Sequence, residues 1–196
     1  MMANRRGKKI LICVTGYPGS GKSVFASVGK EFGLKIFTMG DVVREETMKR
    51  YGVIDKTTLG RVAKELRREY GEDAVAILLS KKIRNIEDKI VVVDGIRSLR
   101  EIEILSKIGR TYLVAILAKR TTRYLRLVTR GRADDMKTYE DFLIRENREK
   151  GFGLAEVIES SDIYVYNEGI PLETFLDISR RLFKKILDEI HEKEKT

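Results

Sequence analysis

Apolar residues fall along this chain in two patterns: short solid runs, and longer stretches in which they recur every three or four positions. Solid runs suit strands buried on both faces of a parallel sheet, and the longer period suits helices with one buried stripe. The pattern predicts strands at 9–15, 35–38, 89–94, 111–118 and 163–166, and helices at 23–32, 41–51, 58–70, 72–84, 99–108, 121–130, 139–150 and 172–192. Ser98 with Glu101 forms a capping box at one helix start, Thr138 with Asp141 a weaker one, and Pro171 suits the first turn of the last helix. That helix is expected to bury Phe175, Ile178, Leu182, Phe183, Ile186 and Ile190 on one stripe. Regular alternation of strand and helix predicts the α/β class: three layers, a parallel five-stranded sheet with helices on both faces. Two stretches interrupt it, an all-helical segment at 41–84 and a polar, glycine-containing one at 130–136. Both suit pieces that close over a ligand.

The first strand runs directly into Gly16-Tyr17-Pro18-Gly19-Ser20-Gly21-Lys22-Ser23. These residues fit G-x-x-x-x-G-K-[ST], the phosphate-binding loop of ATP- and GTP-using proteins. Backbone N–H groups of such a loop converge on an anion, helped by the first turn of the next helix, here Ser23 and Val24. Glycine at 16, 19 and 21 permits positive φ and keeps side chains away from the phosphates. Lys22 would reach the β- and γ-phosphates of ATP, and Ser23 would offer its hydroxyl to Mg²⁺. The plain alternative, a glycine turn before an exposed lysine, does not explain why a strand precedes the motif and a helix follows it.

Composition narrows the picture further. The 196 residues are 42% apolar and 35% charged, enough for one globular domain with a substantial core. No apolar run approaches a membrane span. The basic start before residues 10–14 imitates a signal peptide, but the run is too short, so a cytoplasmic location is expected. The lone cysteine, Cys13, sits inside the first strand as a small core residue. The absence of Gln and Trp amid many Lys, Arg, Glu and Ile leans thermophilic. A net charge of +9 suits a polyanionic partner, either nucleic acid or a small phosphorylated ligand.

Further residues carry candidate chemistry. Asp94 ends an apolar strand, where it is either an ordinary turn former or a group on the metal side of a bound nucleotide. Arg97 follows at the ligand-binding end of the sheet, as a phosphate contact or a surface arginine. Asp41 is either a helix N-cap or a residue that holds or deprotonates an acceptor, and Arg44, one turn on, suits an acceptor phosphate. Residues 119–132 hold Lys119, Arg120, Arg123, Arg126, Arg130 and Arg132 with no acid. Arg123, Arg126 and Arg130 share a helix face, with Tyr124, Leu127 and Val128 on the buried side. Such a stripe is a solvated face, an arginine lid over a triphosphate, or an RNA-backbone contact. Arg145 and Arg148 extend it. The Asn167-Glu168-Gly169 stretch is a plain turn or a backbone turn facing an adenine edge. His191 lies in a charged tail.

Taken in order, Gly16–Ser23, Met39–Glu46, Val93–Ser98, Arg130–Asp135 and Asp162–Gly169 resemble the nucleoside-monophosphate-kinase group, in particular archaeal adenylate-kinase-related, dephospho-CoA-kinase-like P-loop proteins. The resemblance spans about residues 9–181. It implies a single kinase-like domain over 1–196, sheet order 2-3-1-4-5, a helical acceptor-binding insert at about 41–85 and a short lid at about 130–137. It implies that Arg44 and Arg97 hold the acceptor, that Asp94 organises Mg²⁺, that Arg126, Arg130 and Arg132 close over the transferring group, and that Asn167 lies beside the adenine. The chain departs from adenylate kinases in reading Gly95-Ile96-Arg97 where they have Gly-Phe-Pro-Arg, and in lacking lid cysteines. The reading is therefore an ATP- and Mg²⁺-dependent phosphotransferase acting on a small phosphorylated acceptor, first of all a nucleoside monophosphate. An alcohol acceptor, with Asp41 as base, or an RNA-associated ATPase switch are the alternatives.

Overall fold

The computed structural model describes residues 8–130 and 138–194. Five strands, β1 (Lys9–Thr15), β2 (Lys35–Thr38), β3 (Ile90–Ile96), β4 (Gly109–Leu117) and β5 (Ile163–Tyr166), form one sheet in the order β2-β3-β1-β4-β5. Every neighbouring pair is parallel. Among the described residues the helices are α1 (Lys22–Val28), α2 (Met39–Tyr51), α3 (Lys56–Tyr70), α4 (Ala74–Asn85), α5 (Leu99–Ser106), α6 (Arg120–Arg130), α7 (Tyr139–Gly151), α8 (Leu154–Glu159) and α9 (Leu172–Glu194).

The alternation of side chains along β1 builds two cores. Ile10, Ile12 and Val14 face α1 and α9, packing with Phe25, Phe183, Ile186 and Ile190. Leu11 and Cys13 face the opposite way, toward Met39, Leu79, Ile83 and Leu105 of α2, α4 and α5. Burial pushes the Cys13 thiol pKa up, so it stays a neutral core group. The rings of Phe25 and Phe183 stack with centroids 4.8 Å apart, tying the helix after the glycine loop to the last helix. Helices α2, α3 and α4 share a smaller core of Val62, Leu66 and Ala74, braced outside by Arg50 of α2, which binds Glu65 at 3.2 Å and Glu69 at 2.7 Å on α3.

Several elements differ from the sequence reading. The first helix ends at Val28, and Gly29–Phe32 continue as a 3-10 turn. Helix α8, six residues long, is too short to show a period. On α9 the buried stripe runs Phe175, Ser179, Phe183, Ile186, Ile190, while Ile178 is 36% exposed. Ser179 is admitted because its hydroxyl donates to the Phe175 carbonyl at 2.7 Å, which satisfies it inside the core. Pro171 lies just before α9 rather than within its first turn. The Ser98–Glu101 capping box is present in full.

Because Phe183 is fully buried between two other phenyl rings, Phe183→Ala is expected to cost about 3–5 kcal/mol of unfolding free energy. Urea titration followed by circular dichroism checks this, and a loss below about 1 kcal/mol would contradict the packing described.

Candidate active site

The parallel register brings three chain segments to one edge of the sheet. Val14 of β1 and Thr38 of β2 both lie opposite Asp94 of β3. The loop after β1 adopts positive φ at Gly16 (139°), Gly19 (82°) and Gly21 (107°). Close approach demands glycine as much as the dihedrals do. A Cβ on Gly16 would overlap the carbonyl oxygen of Ile116, one on Gly19 that of Arg123, and one on Gly21 the side-chain nitrogen of Asn167. The loop is therefore gripped by the end of β4, the start of α6 and the chain leaving β5.

Lys22 and Ser23 open α1. The Lys22 ammonium donates to the Tyr17 carbonyl at 3.2 Å. Lys22 is only half-buried by surface, yet protein crowds its ammonium closely enough that burial lowers its pKa to about 8, with Asp94 pulling the other way. The Ser23 hydroxyl donates to Asp94 Oδ2 at 2.8 Å. Asp94 is 6% exposed, and burial raises its pKa against the influence of Lys22 and Ser23. Among the described residues, Asp94 Oδ1 and the Ser20 hydroxyl are buried with no hydrogen-bond partner. Buried polar atoms are nearly always satisfied, and Asp94 lines a cleft from which a bound group could satisfy Oδ1. A carboxylate oxygen left over beside a serine hydroxyl fits Mg²⁺, which takes few protein ligands and shares substrate phosphates.

These groups open onto a cleft of about 740 Å³ whose lining also includes Asp41, Arg44, Arg97, Arg126, Arg130 and Asn167. Pro18, Gly19, Gly21 and Val24 line it as well, whereas Gly16, Tyr17 and Ser20 lie behind. The cap of α2 is Thr38, whose hydroxyl accepts from the Asp41 N–H at 3.0 Å. Asp41 is thus the third residue of the helix, not its cap, and its carboxylate binds Arg44 at 2.8 Å instead. Past Gly95 (φ 98°), the backbone N–H of Arg97 donates to Glu101 at 2.7 Å, and its Nε lies 2.8 Å from a Glu149 carboxylate oxygen in an ion pair.

The arginine stripe divides. Arg123 is 4% exposed rather than part of a solvated face. It lies between the rings of Tyr17 and Phe142, donates to the carbonyls of Ala118 and Pro18, and binds Glu146 at 2.6 Å. Burial pushes Glu146 up, but hydrogen bonds from Arg123 and Arg120 outweigh it and hold the carboxyl below its usual range. Val128, expected on the buried side, is 43% exposed. Arg126 donates through Nη2 to the backbone and side-chain oxygens of Asn167, at 2.9 and 3.2 Å, while its Nη1 is buried with no hydrogen-bond partner among the described residues. Asn167 in turn donates to the Ser20 carbonyl at 2.9 Å, so its amide buttresses the loop from behind. Glu168 accepts from the Lys119 N–H and the Thr122 hydroxyl at the start of α6. Arg130 ends α6, and Arg132 with the rest of the expected lid lies outside the described residues.

Glu146 and Glu149, at 2% and 3% exposure, escaped the sequence reading. One signal for them exists: Phe142, Glu146 and Glu149 fall at helical spacing, so both carboxylates share the face of a buried phenylalanine.

Arg123→Ala would leave the buried Glu146 with only the more exposed Arg120 and Lys150, and would free Tyr17 and Pro18. It is expected to lower stability by about 3 kcal/mol, read from urea denaturation. A change under about 0.5 kcal/mol would show that the network does not hold the loop.

The same architecture recurs elsewhere. Residues 15–142 match the family described as an AAA domain. TT1252 from Thermus thermophilus superposes with a TM-score of 0.63 at 22% identity, over 93% of this chain and 98% of its own. Shikimate kinase from Bacteroides thetaiotaomicron does so with a TM-score of 0.57 at 14% identity, over 89% and 98%. These two share the P-loop, kinase-like fold. In sequence, a UPF0200 protein of Methanocaldococcus jannaschii is 42% identical over 183 residues, 92% of this chain and 90% of its own length. A UPF0200 protein of Hyperthermus butylicus is 40% identical over 178 residues, 91% and 95%. Likeness at that level through nearly the whole length of both partners places the chain in the UPF0200 family, built on a P-loop NTPase fold of the kinase type.

Proposed function

We propose that the protein transfers the γ-phosphoryl group of ATP to a small phosphorylated acceptor, with a nucleoside monophosphate as the first choice, in the cytoplasm. The observation that carries this is the cleft that joins Lys22 and the Ser23–Asp94 pair to further cations, Arg44 and Arg97, in one lining. A simple ATPase needs only Lys22 and that pair. Phosphoryl transfer demands alignment and charge neutralisation more than covalent help, and these side chains supply both. Mg²⁺ held by Ser23 and Asp94 would neutralise phosphate charge beside the loop. Lys22 faces the same phosphates, Arg126 and Arg130 close the donor end, and Arg132 belongs with them if the lid follows the resemblance. Arg44 and Arg97 hold the acceptor's own phosphate. An acceptor phosphate oxygen is already anionic, so no strong base is required.

The helices α2–α4 serve as the acceptor-binding insert in this reading. No helix among the described residues is long and apolar enough to cross a membrane. The RNA-switch alternative loses its main support, because Arg123 is drawn inside and Arg126 is engaged by Asn167. An alcohol acceptor keeps one: the Asp41 carboxylate lines the cleft and is 52% exposed, so it can reach a hydroxyl. Shikimate kinase from Acinetobacter baumannii, in complex with shikimate, shares the fold with a TM-score of 0.55 at 12% identity, over 97% of both chains.

Incubation with ATP, Mg²⁺ and a panel of nucleoside monophosphates, dephospho-CoA and RNA tests the proposal. It expects stoichiometric phosphorylated product from a monophosphate, and ATP hydrolysis stimulated only by RNA would contradict it. Lys22→Ala is expected to reduce kcat roughly 100-fold or more, with the melting temperature kept. Asp41→Asn separates the acceptor types: a monophosphate kinase keeps its kcat, whereas an alcohol kinase loses roughly 100-fold or more.

Lys22 also gives a pH signature. Its pKa of about 8 lies below that of a free lysine, so at pH 8–9 part of the unliganded protein lacks the ammonium. Phosphates raise that pKa, so binding takes up a proton at Lys22 in this window, whereas near pH 6 Lys22 is already charged and takes up none. Calorimetry in two buffers of different ionisation heat reads the uptake. Equal apparent heats at about pH 8.5 would contradict it.

A further inference from the structure

The two arginines on the acceptor side are each paired with a carboxylate, but the two pairs differ in kind. Arg44 binds Asp41 at 2.8 Å on one exposed helix turn, the side chains being 47% and 52% exposed. Arg97 binds Glu149 at 2.8 Å across elements, from the end of β3 to α7, and the glutamate side chain is only 4% exposed. Stripping the partner from a buried carboxylate is far costlier than from a half-exposed one. An incoming phosphate can therefore take Arg44 from Asp41, which water then solvates, but it cannot take Arg97 from Glu149.

The donor arithmetic agrees. A guanidinium has five N–H donors in a planar fork. Arg97 sets its Nε 2.8 Å from the Glu149 carboxylate in an ion pair, which holds the guanidinium beside that acid while its terminal nitrogens carry four further donors. The backbone of the same residue is fixed separately by Glu101, at 2.7 Å. Main chain and side chain are thus held by two acids from two helices, the partly buried Glu101 and the buried Glu149, in a residue whose side chain is still 40% exposed and lines the cleft. Such double anchoring is more than an ordinary surface arginine receives.

We propose that Glu149 is a positioning residue: it holds Arg97 as a fixed donor for the acceptor's phosphate, whereas Asp41 is an exchangeable counter-ion that the phosphate displaces from Arg44. Acceptor recognition then combines one preset jaw and one that is released on binding. This rests on the acceptor reading of the cleft given above. It also links acceptor binding to α7, which carries Glu146, the partner of Arg123 behind the phosphate loop.

The test is calorimetric titration of AMP and of inorganic phosphate into protein already saturated with Mg²⁺ and a non-hydrolysable ATP analogue. Glu149→Ala is expected to weaken binding of the probe roughly tenfold, with affinity for the ATP analogue unchanged. Arg97→Ala should weaken it at least as much, and the double variant should be no weaker than Arg97→Ala, because Glu149 acts only through Arg97. Wild-type affinity in Glu149→Ala, or an additive loss in the double variant, would overturn the role of Glu149 while leaving the acceptor site standing. If neither probe bound the unaltered protein, the acceptor reading would fail and this inference with it. Asp41→Asn should tighten binding a few-fold, and unchanged or weaker binding removes the exchangeable counter-ion. Glu149→Gln keeps the volume and one accepting oxygen. Should the alanine variant not fold, its expected result is a smaller loss in the same direction, and an unchanged affinity there would equally overturn the role.

Discussion

The close approach of the loop Gly16–Ser23 to three other parts of the chain is the constraint on which the rest depends. At Gly16, Gly19 and Gly21 there is no room for a side chain, because Ile116, Arg123 and Asn167 already occupy the space. The loop cannot relax away from these neighbours without losing the Asn167 bond to Ser20 and the Arg123 contacts with Pro18 and Tyr17. Its backbone is consequently set before any ligand arrives, and an anion site made of main-chain N–H groups is useful only if those groups are already aligned. The parallel sheet supplies the other half: its register places Asp94 beside Val14 and Thr38, so the carboxylate, the loop and the start of α2 meet at one edge.

Charge in the molecule follows the same economy. The excess of cations suggested an open basic surface, yet the central arginines are matched with acids. Glu146 takes Arg120 and Arg123, Glu149 takes Arg97, and Asp41 takes Arg44. A cluster of unpaired arginines would repel itself and would offer little geometric selectivity; pairing orients each fork and leaves selected donors pointing outward. Asp94 Oδ1, Ser20 Oγ and Arg126 Nη1, in residues around the loop, are buried with no hydrogen-bond partner among the described residues, and so is the Tyr112 hydroxyl farther down β4. Buried polar groups elsewhere, such as Ser179 and Lys9, find carbonyl partners.

Much of this was legible in the sequence. All five strands were, because buried runs such as residues 10–14 and 91–93 have no other good use, while their order followed only from the resemblance to the nucleoside-monophosphate-kinase group. The loop residues, Asp94, Arg44 and Arg97 could be named as site candidates since their place relative to strand ends follows from topology. What could not be read was pairing across the chain. Arg123 looks like its neighbours Arg120 and Arg126 until Glu146, 23 residues away, draws it inside. Glu149 looks like any acid of a charged helix, and its burial depends on Arg97 arriving from another element. Ser179 displaced Ile178 from the core because a hydroxyl can satisfy itself on its own helix, a local escape that a count of apolar residues does not see. Helix α8 lacked the length to announce a period.

A crystal structure with Mg²⁺ and a non-hydrolysable ATP analogue is the most direct measurement of whether the loop is a phosphate cradle. The account predicts the triphosphate within the turn of residues 16–23, the metal beside the Ser23 hydroxyl and Asp94, and a loop backbone superposable on the one described here. An analogue seated elsewhere, or a loop that must rebuild to receive it, would contradict the account.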